Sequence, residues 1–215
     1  MAPPEPLLLN RAVVFVSAIV YWSGVWLQAR RVRRRIGRSP NVRPRSRKEK
    51  LLWAGWLVVV GLWLTIPFAA GKETLQPLSE LITAFLHPVS VAAGIFLIVA
   101  GYAGTLWSYS AMATNWRMGI DPGERLVLVT RGPFRFVRHP IYLFQAVMLW
   151  GLALLLPTPL SLMAIAIHLV CVRIKAADEE SFLLGAYGAN YELYRSRTGK
   201  LLPKFVSSKR ESSLG

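Results

Sequence analysis

The chain has a single cysteine, Cys171, among 215 residues. That excludes a disulfide-stapled secreted domain and a cysteine-rich zinc site. Acidic side chains are scarce, 11 against 26 lysines and arginines, which gives a formal net charge of +15. Charge of either sign is also scarce, at 17% against roughly 25% in an average soluble domain. No P-loop, no Gly-x-Gly-x-x-Gly opening a helix and no His-Glu-x-x-His is present. The usual nucleotide-loop and zinc-hydrolase signatures are therefore missing. Scattered serine, histidine and aspartate residues do not make a triad, and no metal is expected.

What fills the chain is apolar: 53% of the residues are hydrophobic. Intrinsic disorder, which needs low hydrophobicity, is excluded. An apolar chain with a large basic excess reads as a membrane protein whose cations sit in loops. Nucleic-acid binding is the competing explanation of so basic a chain. It fails on layout, because 11 of the 26 basic residues lie between Arg30 and Lys50, linking two apolar runs. No nucleic-acid partner is expected.

The uncharged runs set the fold class: an all-α integral membrane protein of about five transmembrane helices. The expected spans are Ala12–Ala29, Leu51–Gly71 and Val89–Met112, then a helical hairpin over residues 140–175. Pro88 divides the long run Leu81–Trp116, and Pro157-Thr158-Pro159 turns the hairpin. The last segment, Leu160–Val172, is too short to span, at about 20 Å against a layer of roughly 30 Å. The helix is therefore expected to run on through Arg173 and Lys175 toward Glu180, with the cations snorkelling. The opening Met-Ala-Pro-Pro-Glu-Pro has no basic stretch and does not read as a secretory signal.

Loop charge gives the orientation. The segment Arg30–Lys50 holds 11 basic residues and one acid, and Asn115–His139 holds five arginines and two acids. The part from Arg173 onward has eight basic residues and five acids, whereas Gly71–His87 carries Lys72, Glu73 and Glu80. The positive-inside rule then places the N-terminus outside and the C-terminus in the cytoplasm. The basic loop 30–50 is expected to meet anionic lipid headgroups. Three regions follow: 1–114 with that loop, 115–205, and a flexible tail 206–215.

Two segments on the basic side carry chemistry. Thr130–Tyr142 packs arginines, aromatics, a Gly-Pro turn and a His-Pro step just before a membrane helix. Pro140 suits the first helical turn, which leaves His139 at the positive end of the helix. The second segment begins at Asp178-Glu179-Glu180, three acids in an otherwise basic region. Tyr187, Tyr191 and Tyr194 follow at i, i+4 and i+7, one face of a helix. The plain alternatives are further positive-inside arginines, an interfacial tyrosine belt, and acids paired to Arg173, Lys175 and Arg195. His87 and His168 read as structural, and Cys171 as a small buried apolar residue.

Together the two segments resemble the isoprenylcysteine carboxyl methyltransferase family. That family sits within a wider group of integral-membrane methyltransferases that includes phospholipid N-methyltransferases. The matching residues are Gly132-Pro133-Phe134-Arg135 and Arg138-His139-Pro140-x-Tyr142. After the hairpin come Glu179-Glu180-x-x-Leu183, Tyr187-Gly188, Tyr191, Tyr194 and Leu202-Pro203. Trp116–Pro122 is similar to the bacterial branch. The resemblance covers Asn115–Pro203.

It implies S-adenosylmethionine (AdoMet) in a lidded cytoplasmic pocket, in a multi-pass protein of a bacterial inner membrane. By the same resemblance His139, Pro140 and Tyr142 contact the cofactor, and Glu179 and Glu180 hold its polar groups. Val129 to Arg138 wraps it, with Gly132 and Phe134. Arg138 is the candidate catalytic residue, and with Tyr191 and Arg195 the candidate contact for the substrate. The implied acceptor is lipophilic, with carboxyl O-methylation of an isoprenylcysteine-like acid as the type reaction. Phospholipid amines and small thiols stay open as acceptors. An NADPH-dependent membrane reductase and a non-enzymatic membrane interaction protein are the competing functions.

Overall fold

A computed structural model describes residues 5–37, 39–40, 44, 46–70, 87–116 and 127–204. The expected acidic loop (residues 71–86 of it), residues 117–122 of the bacterial-type stretch and the tail 206–215 lie outside these. The described chain is helical: α1 Glu5–Ile36, α2 Arg47–Ala69, α3 Pro88–Met112, α4 Pro140–Leu155, α5 Pro159–Tyr187 and α6 Ala189–Arg197. Short 3-10 turns occupy Ala113–Asn115 and Gly132–Arg135. The helices α1, α2, α3 and α5 are each long and apolar enough to cross a membrane.

The helix boundaries follow local chemistry. Ser46 and Glu49 form a reciprocal capping box that starts α2. Thr158 and Ser161 do the same for α5, with Pro159 in the first turn. Gly37, at φ +74°, ends α1, and its N–H bonds the Arg33 carbonyl. Thus the basic segment is only partly a loop: Arg30–Ile36 is helical and so is Arg47–Lys50. Apolar periodicity ends at Ala29, but nothing before Gly37 breaks the helix.

The continuous helix expected from Leu160 to Glu180 is present and runs to Tyr187. The short helix is instead α4, 16 residues, about 24 Å. It packs in close contact with α3, where glycines allow the approach. A Cβ on Gly101 would lie 2.6 Å from the Phe144 carbonyl oxygen, and one on Gly94 would lie 3.0 Å from that of Gly151. The small residues of α3 therefore serve packing within one chain.

The core lies between α1, α2, α4 and the start of α5, around Val14, Val59, Trp63, Met148, Leu152 and Leu155. Tyr21 stacks on Trp63 at 5.4 Å, and the Trp63 indole N–H donates to Ser17 Oγ at 3.2 Å. Polar groups inside the bundle bond locally, as lipid requires. Thr105 and Ser108 donate to the carbonyls of Gly101 and Gly104, at 2.9 and 2.8 Å. Phe96, Val99 and Val170 point outward, as lipid-facing side chains do.

Candidate active site

The start of α4 fixes the first half of the site. Pro140 takes the first helical position and His139 is the N-cap, 6% exposed. The segment before it is held from two sides. Gly132, at φ +62°, turns the chain beneath α3, and Arg131 donates to the Ala111 carbonyl at 3.2 Å. Residues 199–200 pair with it in parallel. The Arg138 N–H bonds the Gly199 carbonyl at 2.8 Å, and the His139 N–H bonds that of Lys200 at 3.2 Å. A Cβ on Gly199 would lie 1.6 Å from the Leu202 carbonyl oxygen, so only glycine fits there.

The second half is the acidic run on α5, where successive residues turn by about 100° and meet different partners. Asp178 pairs with Lys48 of α2 at 2.5 Å. Glu179 accepts from the Tyr142 hydroxyl at 2.7 Å, and its other oxygen lies 3.2 Å from His139 Nδ1. Glu180 receives Nε and Nη2 of Arg138 on one oxygen, both at 2.8 Å, with Lys200 3.6 Å from the other. The acids thus meet Lys48, Arg138, His139 and Lys200; of the Arg173, Lys175 and Arg195 alternative, Lys175 also acts on Glu179 through its charge. Arg138 also donates to the carbonyls of Thr198 and Arg195.

His139 Nε2 lies 3.4 Å from Glu180 Oε1, near enough for attraction, but the two are not aligned as a hydrogen bond. The imidazole is stacked on Tyr142, rings 5.7 Å apart. Burial alone would lower its pKa. The hydrogen bond to Glu179 and then the contact with Glu180 outweigh burial and raise it above 6.5.

These groups border a cavity of about 370 Å³. Its polar end is made by Arg138, His139, Lys175 and Glu179, with Pro140 and Tyr142 beside them. Val129 and Phe134 form the flank. The remaining walls are mainly aromatic and apolar, with Glu49, Asn115 and Gln145 among them, and they come largely from α1 and α2: Tyr21, Trp22, Val25, Leu52, Trp53 and Trp56. Trp56 packs on both Tyr142, at 5.9 Å, and His168, at 5.3 Å.

Four of the expected residues are not in the wall. Gly132 packs under α3, Glu180 sits behind His139, Tyr191 is fully buried in α6, and Arg195 lies on the exposed side of α6. The tyrosine face is also divided. Gly188, at φ +52°, breaks the helix, so Tyr187 ends α5 while Tyr191 and Tyr194 belong to α6. Tyr187 and Tyr194 still reach the cavity, and the Tyr194 hydroxyl bonds the Phe134 carbonyl at 2.7 Å.

Residues 89–190 match the family model described as phospholipid methyltransferase. The match covers just under half of the chain. No curated protein matches the chain. The matched region spans α3, α4, α5 and the first residues of α6, and it contains the His139–Glu179 contact. The helices α1 and α2 lie outside it, yet they supply much of the cavity wall beside the matched region. Single-sequence reasoning missed those walls, and also missed Gln145 and Lys175. Gln145 did leave a signal, as an amide inside an otherwise apolar run.

Proposed function

We propose that this membrane methyltransferase uses AdoMet to methylate a lipophilic acceptor at the cytoplasmic surface. The observation that carries the proposal is one cavity with two different ends. A cluster of charged residues built from the methyltransferase motifs opens directly into aromatic walls within the bundle. A water-soluble cofactor and a lipid-soluble acceptor need such a pair of surroundings.

The residues fit the cofactor by chemistry. AdoMet carries a carboxylate, an ammonium, ribose hydroxyls and an adenine. His139, Lys175 and Arg138 suit the carboxylate, Glu179 suits the ammonium or ribose, and Tyr142 and Phe134 offer ring faces. The unaligned N–H at His139 Nε2 is available to a ligand acceptor. Val129 and Pro140 complete the contact set. When bound, the cofactor supplies an electrophilic methyl group on a sulfonium sulfur.

The chain's own contribution is placement. Arg138 and Glu180, locked together with Lys200 and the carbonyls of α6, position His139 and act through it. Glu179 fixes the Tyr142 hydroxyl and the His139 ring together. Apolar walls exclude water, so that alignment and desolvation carry the acceleration. The acceptor reaction is carboxyl O-methylation of an isoprenylcysteine-like acid. A carboxylate nucleophile needs no general base, whereas an amine or thiol acceptor would need one. In this reading the charged end of the cavity faces the cytoplasm at a bacterial inner membrane, with the basic α1–α2 segment against anionic headgroups; the positive-inside distribution supports that orientation.

The test is calorimetric titration of detergent-purified protein with AdoMet and S-adenosylhomocysteine, with NADPH in parallel. Saturable binding of the first two alone is expected. Binding of NADPH without AdoMet would replace this proposal by a reductase.

A further inference from the structure

Polar groups inside the bundle are mostly satisfied locally. Trp63 bonds Ser17, and Thr105 and Ser108 bond their own helix. Besides His139 Nε2, two exceptions border the same cavity. Gln145 Nε2 and Trp22 Nε1 are buried N–H groups with no hydrogen-bond partner among the described residues, and both side chains line the cavity wall. Gln145 is 2% exposed and lies five residues into α4 from Pro140, about 7.5 Å deeper along the axis. Trp22 comes from α1 and stands outside the region matched to the family.

An unpaired N–H in an apolar wall is costly, and a ligand that brings an acceptor removes that cost. Both groups are donors and both are neutral. Along α4, Gln145 stands more than one helical turn beyond His139, and Trp22 comes from another helix. Their chemistry calls for an oxygen acceptor on a molecule that is otherwise apolar.

We propose that Gln145 and Trp22 form a two-donor subsite that receives a carboxylate oxygen of the lipophilic acceptor and sets its specificity. The subsite rests on the methyltransferase reading above. Neutral donors suit a carboxylate that must react, because they orient it without the tight ion pair that a guanidinium would form.

The test measures binding of S-farnesylthioacetate and of its alcohol analogue S-farnesylthioethanol to the full chain in phosphatidylcholine nanodiscs. The wild type should prefer the acid. Gln145→Leu and Trp22→Phe should each weaken the acid by about tenfold, the loss expected for one hydrogen bond to a charged group. The alcohol, a neutral and weaker acceptor, should lose less, and AdoMet should bind as before. Gln145→Met, closer in shape, serves if the leucine variant does not fold. Unchanged binding of the acid in both variants, equal loss of acid and alcohol, or no preference in the wild type overturns the subsite. Displacement of the acid when phosphatidylglycerol replaces phosphatidylcholine would assign the donors to a lipid phosphate and overturn the carboxylate assignment. Failure of AdoMet to bind the wild type would instead remove the methyltransferase reading, and the acid–alcohol comparison would still decide the subsite.

Discussion

His139 Nδ1 lies 3.2 Å from Glu179 Oε2, joining the cap of α4 to the middle of the acidic run on α5. Forty residues of sequence separate them, including the whole helical hairpin. The contact makes one charged surface out of two segments, and the predictions below perturb either that surface or the parts that hold it.

The pair Arg138–Glu180 is nearly buried, with side chains 8% and 14% exposed. Removing one partner of such a pair costs about 3–5 kcal/mol, because the other charge is left buried. Glu180→Ala should therefore destabilise the fold strongly and weaken AdoMet through His139. The double variant Arg138→Met with Glu180→Leu should regain much of the stability while AdoMet affinity stays low. Thermal unfolding in detergent, alongside calorimetry, separates the two effects. A double variant as unstable as Glu180→Ala would contradict the pairing.

The raised pKa of His139 gives a pH dependence with a definite sign. Glu179, Glu180, Arg138, Lys200 and Tyr142 all face or flank this ring. The imidazolium's attraction to the two carboxylates is fully present below about pH 6.5 and is lost as pH rises through the higher folded value. The melting temperature of the wild type should fall across that window, while His139→Gln should show a flatter profile. Parallel curves would mean that His139 carries no charge in the folded state.

Gly199 is the tightest point of the tail. Gly199→Ala drives a methyl into the Leu202 carbonyl, so residues 199–200 must leave the Arg138–His139 backbone. Overpacking of this kind costs about 1–3 kcal/mol. A lower melting temperature and a weaker AdoMet affinity are expected together. Loss of stability with unchanged affinity would show that the tail does not position His139.

Gly101→Leu tests the packing beneath the site. Its side chain would meet the Phe144 carbonyl and Met148, forcing α3 and α4 apart. A loss of at least about 1–3 kcal/mol is expected, read as a drop in thermal stability. Gly61→Ala in α2, where nothing lies within 4 Å of the new methyl, should leave stability nearly unchanged. Equal effects of the two would contradict the close α3–α4 approach.

Much of the fold is legible in the sequence because lipid imposes long uncharged runs. The span near Val89–Met112 and the continuation of α5 past Lys175 both follow from length alone. The polar half of the site is legible too, since Arg-His-Pro and Glu-Glu are odd residues for their places. The apolar half is not. Trp53 and Trp56 line the cavity, Leu51 and Val58 stand exposed, and all four read alike in an apolar run. The tyrosine periodicity misled because one glycine at positive φ interrupts it. The backbone pairing of residues 199–200 leaves no side-chain pattern except the glycine itself.

The most direct measurement is AdoMet affinity of the wild type against His139→Ala and Glu179→Gln in detergent, with unfolding temperatures to show that each variant is folded. Saturable wild-type binding that falls by tenfold or more in both folded variants is predicted, since each loses about one charge-assisted contact or more. Normal affinity in both would contradict the placement of the cofactor at the His139–Glu179 end of the cavity.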